Sequence, residues 1–363
     1  HLLPADVSFF DAVRIAGAAG RLNAVDTHFD WNNRYNLWSG LIASTFLFLS
    51  YFGTDQSQVQ RYLTGKSIGQ SRLSLLFNAV AKVPVQFFIL FIGAMVFVFF
   101  LFVRPPLVFH PGEMKQVEAS ADYASLNARQ DQAFEHRQTA ARHIKDAHDA
   151  GARTSAITEF RAAQSEFDAV HQDALKITGE KDTNYIFLSF VTHYLPRGLV
   201  GLIIGVIFTA AMSAISGEIN SLATVTVIDV YRRHFKPDAT DHHYLTASRI
   251  ATVFWGIYAV VVASYAAQHP GALIEVVNQV GSYFYGSMLG VFVVAFFIKR
   301  VSGTAAFIGT IVGQAAIFAT SYFTNVAYLW FNVIGCLVVI AAALGVSYAI
   351  DGKGSQTGLA VGN

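Results

Sequence analysis

The feature that most constrains this chain is a series of apolar runs, each close to the length that crosses a lipid bilayer. A helix needs about 20 mostly apolar residues to span the hydrocarbon, because no water is present there to satisfy a frayed backbone. Runs that meet the test are 36–53, 74–103, 195–217, 245–267, 272–298, 303–323 and 326–350. The first is short and turns polar at Ser50, Gly53, Thr54, Asp55 and Gln56, so a membrane-edge loop competes with a full span there. Composition agrees with burial in lipid: 53% of residues are hydrophobic and 13% charged, where a soluble domain carries roughly 25% charge. The expected fold class is all-α integral membrane. A net charge of +1 leaves no basic face for nucleic acid. The single cysteine, Cys336, excludes an intramolecular disulfide and a Cys-cluster metal site, and in its apolar run it reads as a small core residue.

Lysine and arginine collect on the cytoplasmic side of membrane proteins. The connector 54–73 carries Arg61, Lys66 and Arg72, and 229–244 carries Arg232, Arg233 and Lys236. Lys299 and Arg300 close the fifth run and Lys353 follows the last, whereas 268–271 and 324–325 contain no basic residue. Seven spans that start outside and end inside fit this alternation, with an external connector over 1–35 and a cytoplasmic tail over 351–363. The opening at His1, with no charged-then-apolar leader, reads as a fragment whose N-terminal part is missing.

Segment 104–185, between the membrane blocks 36–103 and 186–350, is polar, Ala-rich and mixed in charge. Its Ala, Glu, Gln, Lys and Arg favour helix, and Gly151 predicts a break between two helices. The alternation places this helical hairpin outside. Its histidines, His136, His143, His148 and His171, lack the spacing that puts two ligands on one helix face, so they read as a solvated surface.

Ionisable residues inside spans are costly, at least ~2.5 kcal/mol at the bilayer centre, and mark functional positions. Lys82 lies roughly 13 Å deep by helical rise, near Pro84, and is expected either to face a cavity or to snorkel. The stretch Ala210 to Ser221, which contains Glu218, is rich in small residues and hydroxyls. Close helix packing explains it; so does a site for a hard cation, with the Ser213 hydroxyl one turn after the Ala210 carbonyl. Glu275, Asn278 and Gln279 cluster near the outer end of their run, where pathway lining and interfacial solvation compete. Phe46, Phe48, Tyr51 and Phe52 precede Gly53; a glycine-broken helix of the kind transporters use as a gate, or an aromatic belt, both fit.

Three motifs resemble the sodium:solute symporters, the relatives of sodium/glucose, sodium/proline, sodium/multivitamin and monocarboxylate transporters. Tyr51-Phe52-Gly53-Thr54-Asp55-Gln56 through Arg61-Tyr62-Leu63 is similar to the signature after the family's sixth core helix. Ala210-Ala211-Met212-Ser213 through Asn220-Ser221-Leu222-Ala223-Thr224 and Asp229-Val230-Tyr231 resembles the eighth, and Leu289-Gly290-Val291-Phe292 with Lys299-Arg300 the tenth. The resemblance covers 30–350 except the insert. It implies a LeuT-like inverted repeat, with core helices six and seven over 36–103, and helices eight to ten plus two accessory helices over 186–350. The first repeat is then absent.

Carried over by the resemblance, Ala210 and Ser213 fall on sodium ligands, while Ala214 stands where a second hydroxyl is usual. Tyr51 matches the inner-gate tyrosine, and Lys82 and Asn278 match solute contacts. Phe48 and Phe52 replace an asparagine and a tryptophan of the sugar carriers, so a less polar or anionic solute has equal weight with sugar, amino acid or vitamin-like ones. The expectation is therefore a multi-pass symporter of the cell membrane, of bacterial inner-membrane type, that imports a small organic solute by alternating access with Na⁺ as coupling ion. A proton-coupled symporter and a transporter-like sensor or partner-binding module are the alternatives. No nucleophile–base pair or phosphate loop suggests an enzyme.

Overall fold

The computed structural model describes residues 2–23, 25–179, 182–266 and 273–354. The expected connector 268–271 and the tail beyond 354 lie outside the described residues. The elements are all helical: α1 Phe9–Ala18, α2 Ser44–Thr54, α3 Gln56–Leu63, α4 Ile68–Phe102, α5 Pro111–Glu118, α6 Tyr123–Asp146 and α7 Ala150–Thr178. Then come α8 Ile186–Tyr194, α9 Arg197–Thr224, α10 Asp241–Ala266, α11 Leu273–Phe297, α12 Gly303–Phe323 and α13 Trp330–Gly354. Two π-helical segments, Ser39–Ala43 and Val225–Arg232, lead into α2 and extend α9.

Six helices among the described residues are long and apolar enough to cross a membrane: α4, α9 with its extension, α10, α11, α12 and α13. This is a multi-pass membrane protein. The seventh expected span, 36–53, is different. It becomes a five-residue π turn followed by the 11 residues of α2, about 24 Å at 1.5 Å per residue, against a hydrocarbon core of about 30 Å. Nor is that helix broken at Gly53. It runs to Thr54 and stops at Asp55, whose extended backbone (φ −72°, ψ 121°) opens α3. There the carboxylate accepts from the Ser57 amide at 2.8 Å and the Ser57 hydroxyl at 2.7 Å, the standard satisfaction of an orphan N-terminal donor.

The chain divides into two compact units, His1–Ala24 with Leu76–Ala272, and Val25–Leu75 with Leu273–Asn363. In the first, the C-terminal end of α4 meets the helical hairpin α6–α7. The break falls at Ala147–Asp149, just before the predicted Gly151, because Asp149 caps α7 by accepting from the Ala152 amide at 2.8 Å. The hairpin is a short antiparallel coiled coil. Leu126, Gln130, Ala133, Arg137, Ala140 and Ile144 on α6 face Ala156, Phe160, Ala163, Phe167, Val170 and Ala174 on α7, all buried and all at alternating three- and four-residue steps. That spacing is a heptad seam. Its rim carries Arg129–Asp173, His136–Glu166 and His143–Glu159, each at 2.9 Å, seven residues apart on both helices. Two of the histidines that the sequence offered as solvated surface are thus cross-helix partners.

The hairpin also seals the carbonyl end of α4. A helix leaves its last four carbonyls without partners and gathers partial negative charge there. Arg137, 4% exposed, donates to the Phe100 carbonyl at 2.7 Å, and Gln138 donates to that of Phe102 at 3.2 Å. Burial lowers the Arg137 guanidinium to about 10, with the Asp168 charge opposing the shift.

At the hairpin's foot, Asp182 accepts from the Phe109 amide at 2.6 Å and stands 3.3 Å from His171 Nε2, while His171 Nδ1 contacts the Leu107 carbonyl at 2.9 Å. Burial pulls the His171 pKa down, but hydrogen bonding to Asp182, its charge and the Leu107 carbonyl outweigh that and leave it raised. Asp182 is lowered: burial raises it, and its bonds to His171 and Phe109 more than compensate. A raised histidine stabilises fully below its unfolded value of about 6.5, and the contribution is lost as pH rises through the folded pKa. A lowered aspartate stabilises above about 3.9, and that is lost as pH falls through its folded pKa. Hydrogen-exchange protection at 107–109, 171–179 and 182 is therefore expected to be greatest between about pH 4 and pH 6.5 and to decline at pH 8. The His171→Gln variant should lack the upper decline.

In the second unit, α11, α12 and α13 pack through glycines, because backbones that approach closely leave no room for a side chain. A Cβ on Gly286 would lie 2.6 Å from the Phe331 carbonyl oxygen and 2.9 Å from Asn332 Cα; one on Gly313 would lie 2.3 Å from Val339 Cγ2. Buried Asn332 donates to Ser282 Oγ at 3.1 Å and to the Leu329 carbonyl at 2.9 Å. Gln314 donates to the Tyr283 carbonyl at 2.8 Å, and Tyr283 and Ser321 share a hydroxyl hydrogen bond at 2.9 Å. Cys336 is buried in this seam, as its apolar run suggested.

Candidate functional site

The residues singled out in the sequence divide between the units. In the first, α9 bears a groove lined by Gly201, Leu202, Gly205, Val206, Thr209, Ala210 and Ser213. Small residues four apart leave this face open, and Ala210 and Ser213 both belong to it. Thr209 donates to the Gly205 carbonyl at 2.8 Å, the local back-bonding that keeps a hydroxyl inside an apolar helix. A helical carbonyl such as that of Ala210 retains a second lone pair after its helix bond, so the groove presents two oxygen types one turn apart. Ala210, Ser213, Ala214 and Glu218 are exposed among the described residues, as are most side chains along α9.

About three turns beyond the groove, α9 passes into the π-helical extension, which packs on α10. Ala223, Val227, Tyr244 and Ala251 form a small core there, and Trp255 donates to Thr226 Oγ1 at 2.9 Å. Tyr244 donates toward the Lys236 and Pro237 carbonyls at 2.6 and 2.9 Å, with Arg232 5.0 Å from its ring. These contacts fix the end of α9 at the basic loop, the stretch whose Asp229-Val230-Tyr231 stood out in the sequence. Lys82, also in this unit, is exposed on α4, which continues as helix through Pro84.

In the second unit, α2 is held on α11 by Ser50, fully buried, whose hydroxyl donates to the Tyr285 carbonyl at 2.9 Å. Thr54 donates to the Ser50 carbonyl at 2.8 Å and contacts Met288 Sδ at 3.1 Å. The aromatic residues lie on the helix so anchored: Tyr51 and Phe52 meet edge to face at 5.1 Å, and Phe48 and Phe52 are 6.2 Å apart. Phe48 is 52% exposed and Tyr51 and Phe52 are half-buried. Asn278 is half-buried on α11.

Glu275 is engaged by the connector that precedes α2. It forms an ion pair with Arg34 at 2.9 Å and accepts from the Tyr35 hydroxyl, tying the connector to the start of α11. That hydrogen bond, then burial, raises the Tyr35 phenol. Sequence reading missed both partners, because they are remote along the chain and no periodicity links them. Among the described residues no group of three or more His, Cys, Asp or Glu could hold a metal.

Comparison with known proteins bears on the same segments. The model of the sodium:solute symporter family matches residues 162–313, which include α8, α9 and α10 and end within α12. The chain is 29% identical over 162 residues to the sodium/sialic acid symporter of Proteus mirabilis, covering 44% of this chain and 33% of that protein. It is 35% identical over 134 residues to sodium/glucose cotransporter 2 of Rattus norvegicus, covering 36% of this chain and 20% of that protein. The matched segments thus span a third or less of these relatives. A solved structure, the substrate-bound outward-open state of a Na⁺-coupled sialic acid symporter, superposes with a TM-score of 0.56 at 20% identity, over 93% of this chain and 60% of that one. This likeness shows the fold, the LeuT-like architecture that the sequence implied. Over residues 162–313 this chain is thus similar to the sodium:solute symporter family, a family of transporters.

Proposed function

We propose that the full-length protein is a sodium-coupled symporter that imports a small organic solute by alternating access. The observation that carries this reading is the α9 groove, where the Ala210 carbonyl and Ser213 hydroxyl lie one turn apart within the family-matched segment. Hard cations collect about six oxygens, so the remaining ligands come from other helices. Sodium bound at Ala210 and Ser213 favours the outward-open state and raises solute affinity, a coupling of typically 1–3 kcal/mol. Tyr51, flanked by Phe48 and Phe52, serves as the inner gate. Lys82 and Asn278 contact the solute, with Lys82 the counter-charge for a carboxylate. The hairpin 104–185 lies on the outer side, as the alternation of basic connectors requires. Proton coupling is the second reading, favoured by one residue: Ala214 stands where a second hydroxyl would complete the site.

The experiment is uptake by proteoliposomes carrying the full-length protein under a sodium gradient, over a panel of sugars, amino acids and monocarboxylates. Accumulation of at least one solute is expected. If that solute is a carboxylate, Lys82→Met should reduce its uptake at least tenfold while leaving neutral solutes unaffected. No sodium-driven accumulation across the panel would sink the proposal.

A further inference from the structure

A cavity of about 670 Å³ lies between the C-terminal half of α4 and the α6–α7 hairpin, wholly within the first unit. That is the size of a small-molecule site, and no residue of the proposed transport pathway lines it. Its long wall is apolar, formed by Phe87, Leu90, Phe97 and Phe100. Phe87 and Leu90 are 66% and 64% exposed and mark the mouth, whereas Phe100, Phe167 and Arg137 at the inner end are buried. Arg21 stacks on Phe97 at 4.3 Å, and His171 is already engaged by Leu107 and Asp182.

Two polar atoms of the lining are buried without a partner among the described residues: Arg137 Nε and Gln164 Oε1. Each is pinned. The Arg137 guanidinium donates through Nη2 to the Phe100 carbonyl and lies 3.6 Å from the Phe167 ring centroid. Gln164 donates its amide nitrogen to Asp168 Oδ1 at 2.7 Å, which fixes its oxygen as the acceptor left over. Gln164 and Phe167 are one turn apart on α7, so the two orphan atoms belong to the same end of the cavity. Buried polar groups are normally paired, and each exception calls for a missing partner. Arg137 also sits at a core position of a seam otherwise made of small and apolar residues, apart from Gln130. The requirement is specific: an acceptor for an N–H, a donor for a carbonyl, and near-neutral charge, because Arg137 and Asp168 both line the wall. A hydroxyl is acceptor and donor at once.

We propose that this cavity binds an amphiphile with an apolar chain or ring and a hydroxyl head, the head accepting from Arg137 and donating to Gln164. The mouth at Phe87 and Leu90 belongs to a membrane-length helix, so the occupant comes either from the bilayer, as a long-chain alcohol or acylglycerol, or from water, as a compact phenol or alcohol. The inference is independent of the transported solute and of the coupling ion.

The test uses the full-length protein in nanodiscs and three photoreactive probes: a diazirine-bearing dodecanol, a diazirine-bearing phenylethanol, and a diazirine-bearing dodecane without the hydroxyl. After irradiation, labelled peptides are mapped. Labelling of 87–100 and 164–167 by an alcohol probe is expected. Gly93→Phe should reduce it at least tenfold, since a Cβ at Gly93 meets nothing within 4 Å and the ring fills the void without displacing a neighbour. Gln164→Leu should reduce alcohol labelling about tenfold, one lost hydrogen bond of about 1.4 kcal/mol, and leave dodecane labelling unchanged. Labelling by dodecanol alone identifies a bilayer source; labelling by phenylethanol, alone or with dodecanol, an aqueous one. Three results would overturn the proposal: no labelling by either alcohol, labelling untouched by Gly93→Phe, or dodecane labelling as strong as dodecanol.

Discussion

Ser213→Ala is expected to weaken sodium about tenfold or more, read as a rise in the sodium concentration that half-saturates uptake. The variant removes a hydroxyl and changes nothing else of size, and one lost oxygen contact of about 1.4 kcal/mol is a tenfold change. Ala214→Ser should act in the opposite direction, because it adds a second hydroxyl beside Ser213, where the family resemblance implies one. The two variants separate ligation from packing. If α9 used these small residues only to approach a neighbouring helix, enlarging Ala214 would impair transport, and shortening Ser213 would leave sodium dependence unchanged. Opposite shifts in sodium affinity are what ligation alone predicts.

The second large effect concerns the scaffold that carries α2. Gly286→Leu should destabilise the α11–α13 seam by more than the 1–3 kcal/mol typical of overpacking. Its Cβ would sit 2.6 Å from a backbone oxygen and 2.9 Å from a backbone carbon of α13, neither of which can rotate away. Gly345→Leu, on α13 where a Cβ meets nothing within 4 Å, is the matched control and should be close to neutral. Thermal unfolding in detergent measures both. The same change bears on transport, because Ser50 anchors α2 on the Tyr285 carbonyl one residue before Gly286. A shift of α11 there displaces the helix that holds Tyr51.

How much of this was legible in the sequence follows from the physics of each element. The six long spans could be read because a bilayer demands length and apolarity, both one-dimensional properties. The run 36–53 ends one residue short of α2: glycine is a generic breaker, but here Asp55 and Ser57 supply the cap that stops the helix at Thr54. The hairpin was legible as two helices and not as a coiled coil. Its seam alternates Ala with Phe on one side and includes Gln130 and Arg137 on the other, so the heptad carries little hydrophobic contrast. Reading the Ala and Phe positions of 156–174 at three- and four-residue steps would have revealed it. The Arg34–Glu275 pair and the glycine contacts of α11–α13 join residues remote in sequence, and nothing local encodes them. Of the proposed site, the Ala210 and Ser213 spacing was readable because it lies within one helical turn. The orphan atoms of Arg137 and Gln164 were not, since burial without a partner is a property of the folded neighbourhood.

The measurement that tests the central claim most directly is solute uptake by proteoliposomes of the full-length protein under three conditions: an inward sodium gradient, an inward proton gradient without sodium, and neither. Wild type and Ser213→Ala are compared side by side. The account predicts accumulation that requires the sodium gradient and falls sharply in Ser213→Ala. Accumulation driven by protons alone, equal in the two proteins, would contradict it and make Ala214 the mark of a different coupling ion.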